Sequence, residues 1–374
     1  NVVFGGKKKG TIKANVDLNF DAKIAETLAI VGESGCGKST FAKVLLGLEE
    51  ASNGKVDFEN KNIGKITVEE RDKKTVSAIQ MVFQNPFDTL NPSHSVGNQI
   101  IRTLEKVGVG STVEERKQRM YELLDLVKLP REFEKRMPRQ LSGGQKQRTA
   151  LGRTLASEPK VFLLDEPISH LDAKIRAELR SQFHNLEALR EVSTVYVTHD
   201  YAEALSLGDR IGVMGNGGLM QIGSANEIYD KPNSLFVAQH LGQPGINSFE
   251  AELASEGDSY FAFAGEFKLP IAEEDGKILM GKKISKCHLG IRPQYIQLEV
   301  GSKKIETETT VFQGNVDVFE ALGSYGVMMV SILGESFTLL TDPEDRYQHN
   351  DKVSLKFDPK TFHFFDINSG QNLI

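Results

Sequence analysis

Nine residues, Gly32-Glu33-Ser34-Gly35-Cys36-Gly37-Lys38-Ser39-Thr40, constrain this chain more than any others. They match the pattern G-x-x-x-x-G-K-[ST], with Ser39 in the last position. The apolar run Thr27-Leu28-Ala29-Ile30-Val31 before them predicts a buried strand, and Phe41-Ala42-Lys43-Val44-Leu45-Leu46 after them predicts a helix. In that setting the backbone of Ser34, Gly35, Cys36, Gly37 and Thr40 turns its N–H groups inward around phosphate oxygens. The helix N-terminus adds a partial positive charge. Lys38 is expected to reach the β- and γ-phosphates and the Ser39 hydroxyl to sit on Mg²⁺. The first expectation is therefore a bound nucleoside triphosphate.

Composition narrows the setting. With 374 residues the chain has room for about two domains. A net charge of −6 disfavours nucleic acid or an anionic membrane surface as the main partner. Two cysteines, one of them inside the loop, make a disulfide framework improbable and suit a reducing cytosol. No uninterrupted apolar run approaches 18 residues and the N-terminus lacks a signal-peptide pattern, so work at a membrane would require docking on other proteins. The first residue is not Met, which leaves room for residues upstream.

The rest of the chain reads as alternating elements. Val16-Asp17-Leu18-Asn19-Phe20 alternates at period two, as a half-buried strand would, and residues 76–84 form another strand candidate. Residues 114–128 predict a helix with Met120, Leu123, Leu124 and Val127 on one face. Val161-Phe162-Leu163-Leu164 and Thr194-Val195-Tyr196-Val197 are β-rich runs ending at Asp165-Glu166 and at Thr198-His199. Strands alternating with helices predict an α/β fold with a mainly parallel sheet. Ligands in such sheets sit beyond the carboxyl ends of the strands. One pocket is thus expected to gather Lys38, Asp165 and His199. After about residue 235 the pattern becomes short alternating stretches broken by Gly, Asp, Asn and Pro, which predicts a small all-β barrel.

Four motifs follow the phosphate loop in order: Met81-Val82-Phe83-Gln84, Leu141-Ser142-Gly143-Gly144-Gln145, Leu163-Leu164-Asp165-Glu166-Pro167 and Thr198-His199-Asp200. Over residues 1–235 the chain resembles the ATP-binding cassette (ABC) ATPases, whose signature pentapeptide is matched by Leu141 to Gln145. The resemblance implies a P-loop cassette with a helical subdomain at about 85–160. Asp165, Ser39 and Gln84 would hold Mg²⁺, Glu166 would act as general base toward the attacking water, and Gln84 and His199 would orient water and γ-phosphate. It also implies that Ser142, Gly143, Gly144 and Gln145 complete the site of a second cassette. Ser169-His170-Leu171-Asp172 would be a dimer-contact loop, with Asp172 near nucleotide and His170 a surface contact. Phe4 is the candidate for stacking on adenine.

Two segments bear on the partner. Residues 85–92 and 95–97 resemble the helical subdomain of peptide-importer cassettes, where apolar Phe87 and Leu90 would enter a groove contact with the membrane subunit. Phe236-Val237-Ala238, Gly242-Gln243-Pro244-Gly245-Ile246-Asn247 and Leu289-Gly290-Ile291-Arg292-Pro293 resemble the linker and barrel of maltose-type sugar-importer cassettes. That resemblance implies a C-terminal oligonucleotide-binding-like (TOBE/MOBE) barrel over 236–374 with a dimerisation or regulatory role. The implied protein is the peripheral ATPase of an importer on the cytoplasmic face of the plasma membrane. It would pair with a second cassette and with integral membrane permease subunits, and indirectly with an extracytoplasmic solute-binding protein. The alternatives are a soluble ABC ATPase acting on nucleic acid or ribosomes, which the acidic balance disfavours, and a regulatory ATPase whose barrel senses a metabolite or protein.

Overall fold

A computed structural model describes residues 2–5, 11–83, 89–168, 176, 192–299 and 311–374, with backbone alone at 3–5 and 11–12. The chain divides into two compact units, Asn1–Ala225 and Asn226–Ile374.

In the first unit, β1 (Val2–Gly5) and β2 (Thr11–Asn15) form an antiparallel pair. The main strands are β3 (Thr27–Gly32), β6 (Ile79–Val82), β7 (Val161–Asp165), β8 (Ser193–Thr198), β9 (Arg210–Gly215) and β10 (Gly218–Gly223), and a two-residue pair, β4 (Asp57–Phe58) with β5 (Lys61–Asn62), lies between β3 and β6. They make a six-stranded sheet in the order β10-β9-β3-β8-β7-β6. All neighbours are parallel except β9 and β10. The apolar runs of β7 and β8 are nearly continuous because both faces of the sheet are covered. Phe162, Leu164 and Tyr196 point into one core and Leu163, Val195 and Val197 into the other. The helix α1 (Lys38–Leu46) contributes Phe41 and Ala42 to the second core. Beyond the short α2 (Lys73–Ala78), α3 (Val96–Val107), α4 (Val113–Leu126) and α5 (Gly143–Leu155) share the first core through Ile100, Leu104, Met120, Leu123, Leu124 and Leu151.

Two strand expectations need correction. Val16–Phe20 is not a strand, because β2 ends at Asn15 and Asp17 turns the chain with φ 49°. Residues 76–78 belong to α2, where the Asp72 side chain accepts a hydrogen bond from the Thr75 N–H and starts a helical turn; the strand begins at Ile79. Leu90, expected to be available to a partner, is 3% exposed and packs within its own chain. Phe87 lies outside the described residues.

The second unit holds α7 (Ala225–Asp230, continuing from the first unit's last residue) and α8 (Leu235–His240), which follow α6 (Tyr201–Leu207) of the first unit. Its strands are β11 (Asn247–Glu256), β12 (Ser259–Ala264), β13 (Phe267–Ile271), β14 (Lys286–Ile291), β15 (Ile296–Glu299), β16 (Val311–Ala321), β17 (Gly326–Ile332), β18 (Glu335–Thr341), β19 (Lys352–Phe357) and β20 (Phe362–Phe365). They form two antiparallel five-stranded sheets, β13-β12-β11-β14-β20 and β15-β19-β16-β17-β18. A single core joins them in a half-barrel, centred on Phe267, which packs within 4.3–5.7 Å of the rings of Phe312, Phe337 and Phe357. Asn247 ties the sheets together: its Nδ2 donates to the Ile291 and Thr338 carbonyls, and its Oδ1 accepts from the Thr338 N–H.

Arg292 explains its place in the Leu289-to-Pro293 element. The guanidinium is 1% exposed, donates to the carbonyls of Ala238, Leu241 and Tyr229, and stacks on the Tyr229 ring at 4.0 Å. Nearby, burial pushes His363 down to about 4, with the Arg292 charge adding to the effect. The folded-state value lies below the ordinary 6.5, so the unfolded chain takes up the proton first as pH falls. The stability of this unit is therefore expected to be independent of this group above pH 6.5 and to decline by about 3 kcal/mol between pH 6.5 and 4. Denaturant melts of the full chain followed by β-sheet circular dichroism check this, with His363→Gln expected to flatten that part of the profile.

Candidate active site

The carboxyl ends of β3, β7 and β8 lie side by side, because Val31 is paired with Thr198 and Asp165 with Val197. Each strand delivers its functional residues at or just beyond its last paired residue. From β3 the chain enters the loop at Gly32 and turns into α1 through Gly37, whose φ is 102°. A side chain at Gly37 would also meet the Ala14 carbonyl oxygen at 2.2 Å, so position and conformation both require glycine here. No side chain caps α1 at Gly37, and by helix geometry the first N–H groups, at Lys38, Ser39 and Thr40, have no carbonyl of their own helix to meet. They form a concentration of donors suited to an anion.

Lys38 is 4% exposed, and its Nζ donates to the carbonyls of Gly32 and Glu33, each at 2.8 Å. The ammonium is thus held inside the curl of the loop. Neutral carbonyls satisfy it now, and anionic oxygens would make stronger, charge-assisted bonds. Burial raises the Cys36 thiol above its ordinary range, with Lys38 opposing.

From β7, Asp165 is buried and its Oδ1 accepts from Ser39 Oγ at 3.2 Å. Burial raises its carboxyl, the Ser39 bond opposes this, and neighbouring Glu166 adds to the rise. A hydroxyl and a buried carboxylate this close are hard oxygen donors of the kind Mg²⁺ takes, and a cation there would offset the cost of burying the charge. Glu166 takes φ 45°, a left-handed backbone that a non-glycine residue adopts at a cost of about 1–3 kcal/mol, and its N–H donates to the Val197 carbonyl. That turn aims its carboxylate across the sheet edge, where Oε2 lies 3.1 Å from His199 Nδ1. Glu166 is mostly buried while His199 is half exposed, so the pair spans the boundary between the sheet end and solvent.

The signature residues form a separate cluster. Ser142 is the N-cap of α5 and makes a reciprocal box with Gln145: Ser142 Oγ accepts from the Gln145 N–H and Gln145 Oε1 accepts from the Ser142 N–H. The N–H groups of Gly143 and Gly144 stay without intrahelical partners. Gln84, His170 and Asp172 lie outside the described residues, and Phe4 is placed by its backbone alone, paired with Ile12. Two residues escaped the sequence reading. Glu203, in the first turn of α6, is 1% exposed and accepts from Thr198 Oγ1 and Tyr196 OH. Tyr201, two residues earlier, has its phenol raised by burial, with Cys36 and Glu33 adding to the rise. Only spacing from His199 could have pointed to them.

Comparison with known proteins identifies the family. Residues 16–169 match the ABC transporter family and residues 289–365 the TOBE domain family. The chain is 36% identical to the xylose/arabinose import ATP-binding protein XacK of Haloferax volcanii, over 99% of this chain and 93% of that protein. It is 35% identical to the trehalose/maltose import ATP-binding protein MalK of Thermococcus litoralis, over 97% and 96%. Among solved structures, the dimeric ATP-binding cassette MJ0796 in a post-hydrolysis state with ADP and Pi is 28% identical, with a TM-score of 0.51 over 60% of this chain and 95% of that one. Related along nearly its whole length to subunits of this kind, and matched in its two units by the ABC transporter and TOBE models, this chain belongs to the family of ABC transporter ATP-binding subunits.

Proposed function

We propose that the chain energises uptake of a sugar or oligosaccharide by hydrolysing ATP between two cassettes docked on a membrane permease. The observation that carries the site assignment is the Ser39–Asp165 contact beside the Lys38 loop, with Glu166 following Asp165 and paired to His199 at the end of the neighbouring strand. The sugar class is supported by relatives such as XacK and MalK, whose names record sugar import and which align across both units.

Lys38 and the α1 N-terminus bind and orient the β- and γ-phosphates. Ser39 and Asp165, with Gln84, hold Mg²⁺, which when bound neutralises phosphate charge. Glu166 takes the proton of the attacking water, and His199 fixes the γ-phosphate and the Glu166 carboxylate relative to one another. Ser142, Gly143, Gly144 and Gln145 face the γ-phosphate of a second cassette, where the N–H groups of Gly143 and Gly144 find the anion they lack in one chain. Asp172 belongs to the contact between cassettes, and Phe4 stacks on adenine. No helix among the described residues is long and apolar enough to cross a membrane, which is compatible with a peripheral subunit at the cytoplasmic face. The solute-binding protein would reach this subunit only through the permease.

Cells lacking this chain are expected to lose uptake of a labelled mono- or oligosaccharide and to regain it with the wild-type chain. Loss of peptide uptake with every sugar unaffected would overturn the sugar reading. Recovery of ribosomes or nucleic acid, with no integral membrane protein, in a pull-down from solubilised membranes would overturn the importer reading.

A further inference from the structure

We propose that Glu203 is a positioning residue for ATP hydrolysis: it sets the backbone corner that carries His199 by holding Thr198 and Tyr196. The inference rests on the role given to His199 above.

His199 needs such support. Its ring is half exposed, and the described contact of its side chain is with the Glu166 carboxylate at 3.1 Å. Packing therefore does little to fix the ring, and its position depends on the backbone on either side. Glu203 is 1% exposed, and its Oε2 accepts from Thr198 Oγ1 at 2.7 Å and from Tyr196 OH at 3.0 Å. Thr198 Oγ1 in turn accepts from the Asp200 N–H at 2.9 Å. The residues before and after His199 are thereby tied to one another, and through Thr198 to Glu203. Asp200 closes the corner from the other side: its Oδ1 accepts from the Ala202 and Glu203 N–H groups, and its Oδ2 lies 3.7 Å from Arg176 Nη1. The corner between β8 and α6 is thus a closed set of hydrogen bonds with one buried carboxylate at its centre.

The bland alternative is that Glu203 only fills space beneath α6. A buried carboxylate is a costly filler, since its charge must leave water and burial already drives its carboxyl upward. A leucine would occupy a similar volume without that cost. What leucine lacks is an acceptor for the Thr198 and Tyr196 hydroxyls, which is the part of Glu203 that the corner uses.

The test is a double-mutant cycle on ATP turnover. Glu203→Ala is expected to lower kcat about ten- to a hundredfold, the scale of a misplaced reacting group, with KM for ATP changed less than about twofold. Glu203→Gln keeps an acceptor oxygen and is expected to recover most of the loss. In a His199→Ala background, Glu203→Ala is expected to cost nothing further, because both act through the same ring. Should Glu203→Ala not fold, Thr198→Val carries the same expectations. An equal loss in both backgrounds, or unchanged kcat in the Glu203→Ala protein, would overturn the inference while leaving His199 in place. A His199→Ala protein with wild-type kcat would overturn the reading of His199, and the inference with it.

Discussion

Glu166→Gln is expected to reduce steady-state ATP hydrolysis by at least about a hundredfold while leaving ATP binding nearly intact. The substitution keeps the size of the side chain and an oxygen facing His199 Nδ1, now 3.1 Å from the carboxylate. It keeps the backbone bond from residue 166 to the Val197 carbonyl and the left-handed turn that aims the side chain. Only the ability to take a proton is lost. The groups that bind phosphate, Lys38 in its loop and Ser39 against Asp165, are untouched. Phosphate release under multiple turnover, compared with equilibrium binding of a fluorescent ATP analogue, separates the two effects. Binding and hydrolysis falling together would mean that Glu166 supports the phosphate site, and hydrolysis near the wild-type rate would place the base elsewhere.

The parts of the site that were legible in the sequence are those whose chemistry and local geometry coincide. The phosphate loop is one, because glycine at 37 is demanded by φ 102° and by the Ala14 carbonyl against it. Asp165 is another, since a carboxylate directly after four apolar residues must sit where a doubly covered strand leaves the core. The barrel strands were readable because one face of each sheet is buried and one is not, so the sequence alternates. The strand at Val16–Phe20 failed because period-two alternation says nothing of φ, and Asp17 turns the chain there. Residues 76–78 failed because a single cap at Asp72 outweighed the β-rich character of the run. Glu203, Asn247 and Arg292 were invisible in role for a common reason. Each is a buried polar group defined by its hydrogen-bond partners, distant backbone carbonyls for Asn247 and Arg292 and the hydroxyls of the preceding strand for Glu203, and neither periodicity nor composition records such pairings.

The central claim is that one chain holds half a site. Ser142 is exposed at the start of α5, its box with Gln145 already closed, while the first-turn N–H groups beside it await an acceptor. If those groups serve the nucleotide of a second copy, Ser142 of one chain must approach the phosphate loop of the other. The chain carries its own reporter. Cys36 lies in that loop and is partly accessible, whereas Cys287 is buried in the half-barrel with its thiol pushed up to about 12, which leaves it inert. In a Ser142→Cys variant, mild oxidation is the measurement that decides. A covalent dimer of twice the chain mass is expected on a denaturing gel, formed only when both Cys36 and the Ser142→Cys thiol are present and abolished by Cys36→Ser. A disulfide confined to one chain, or no crosslink from a protein that still binds ATP, would contradict the shared site.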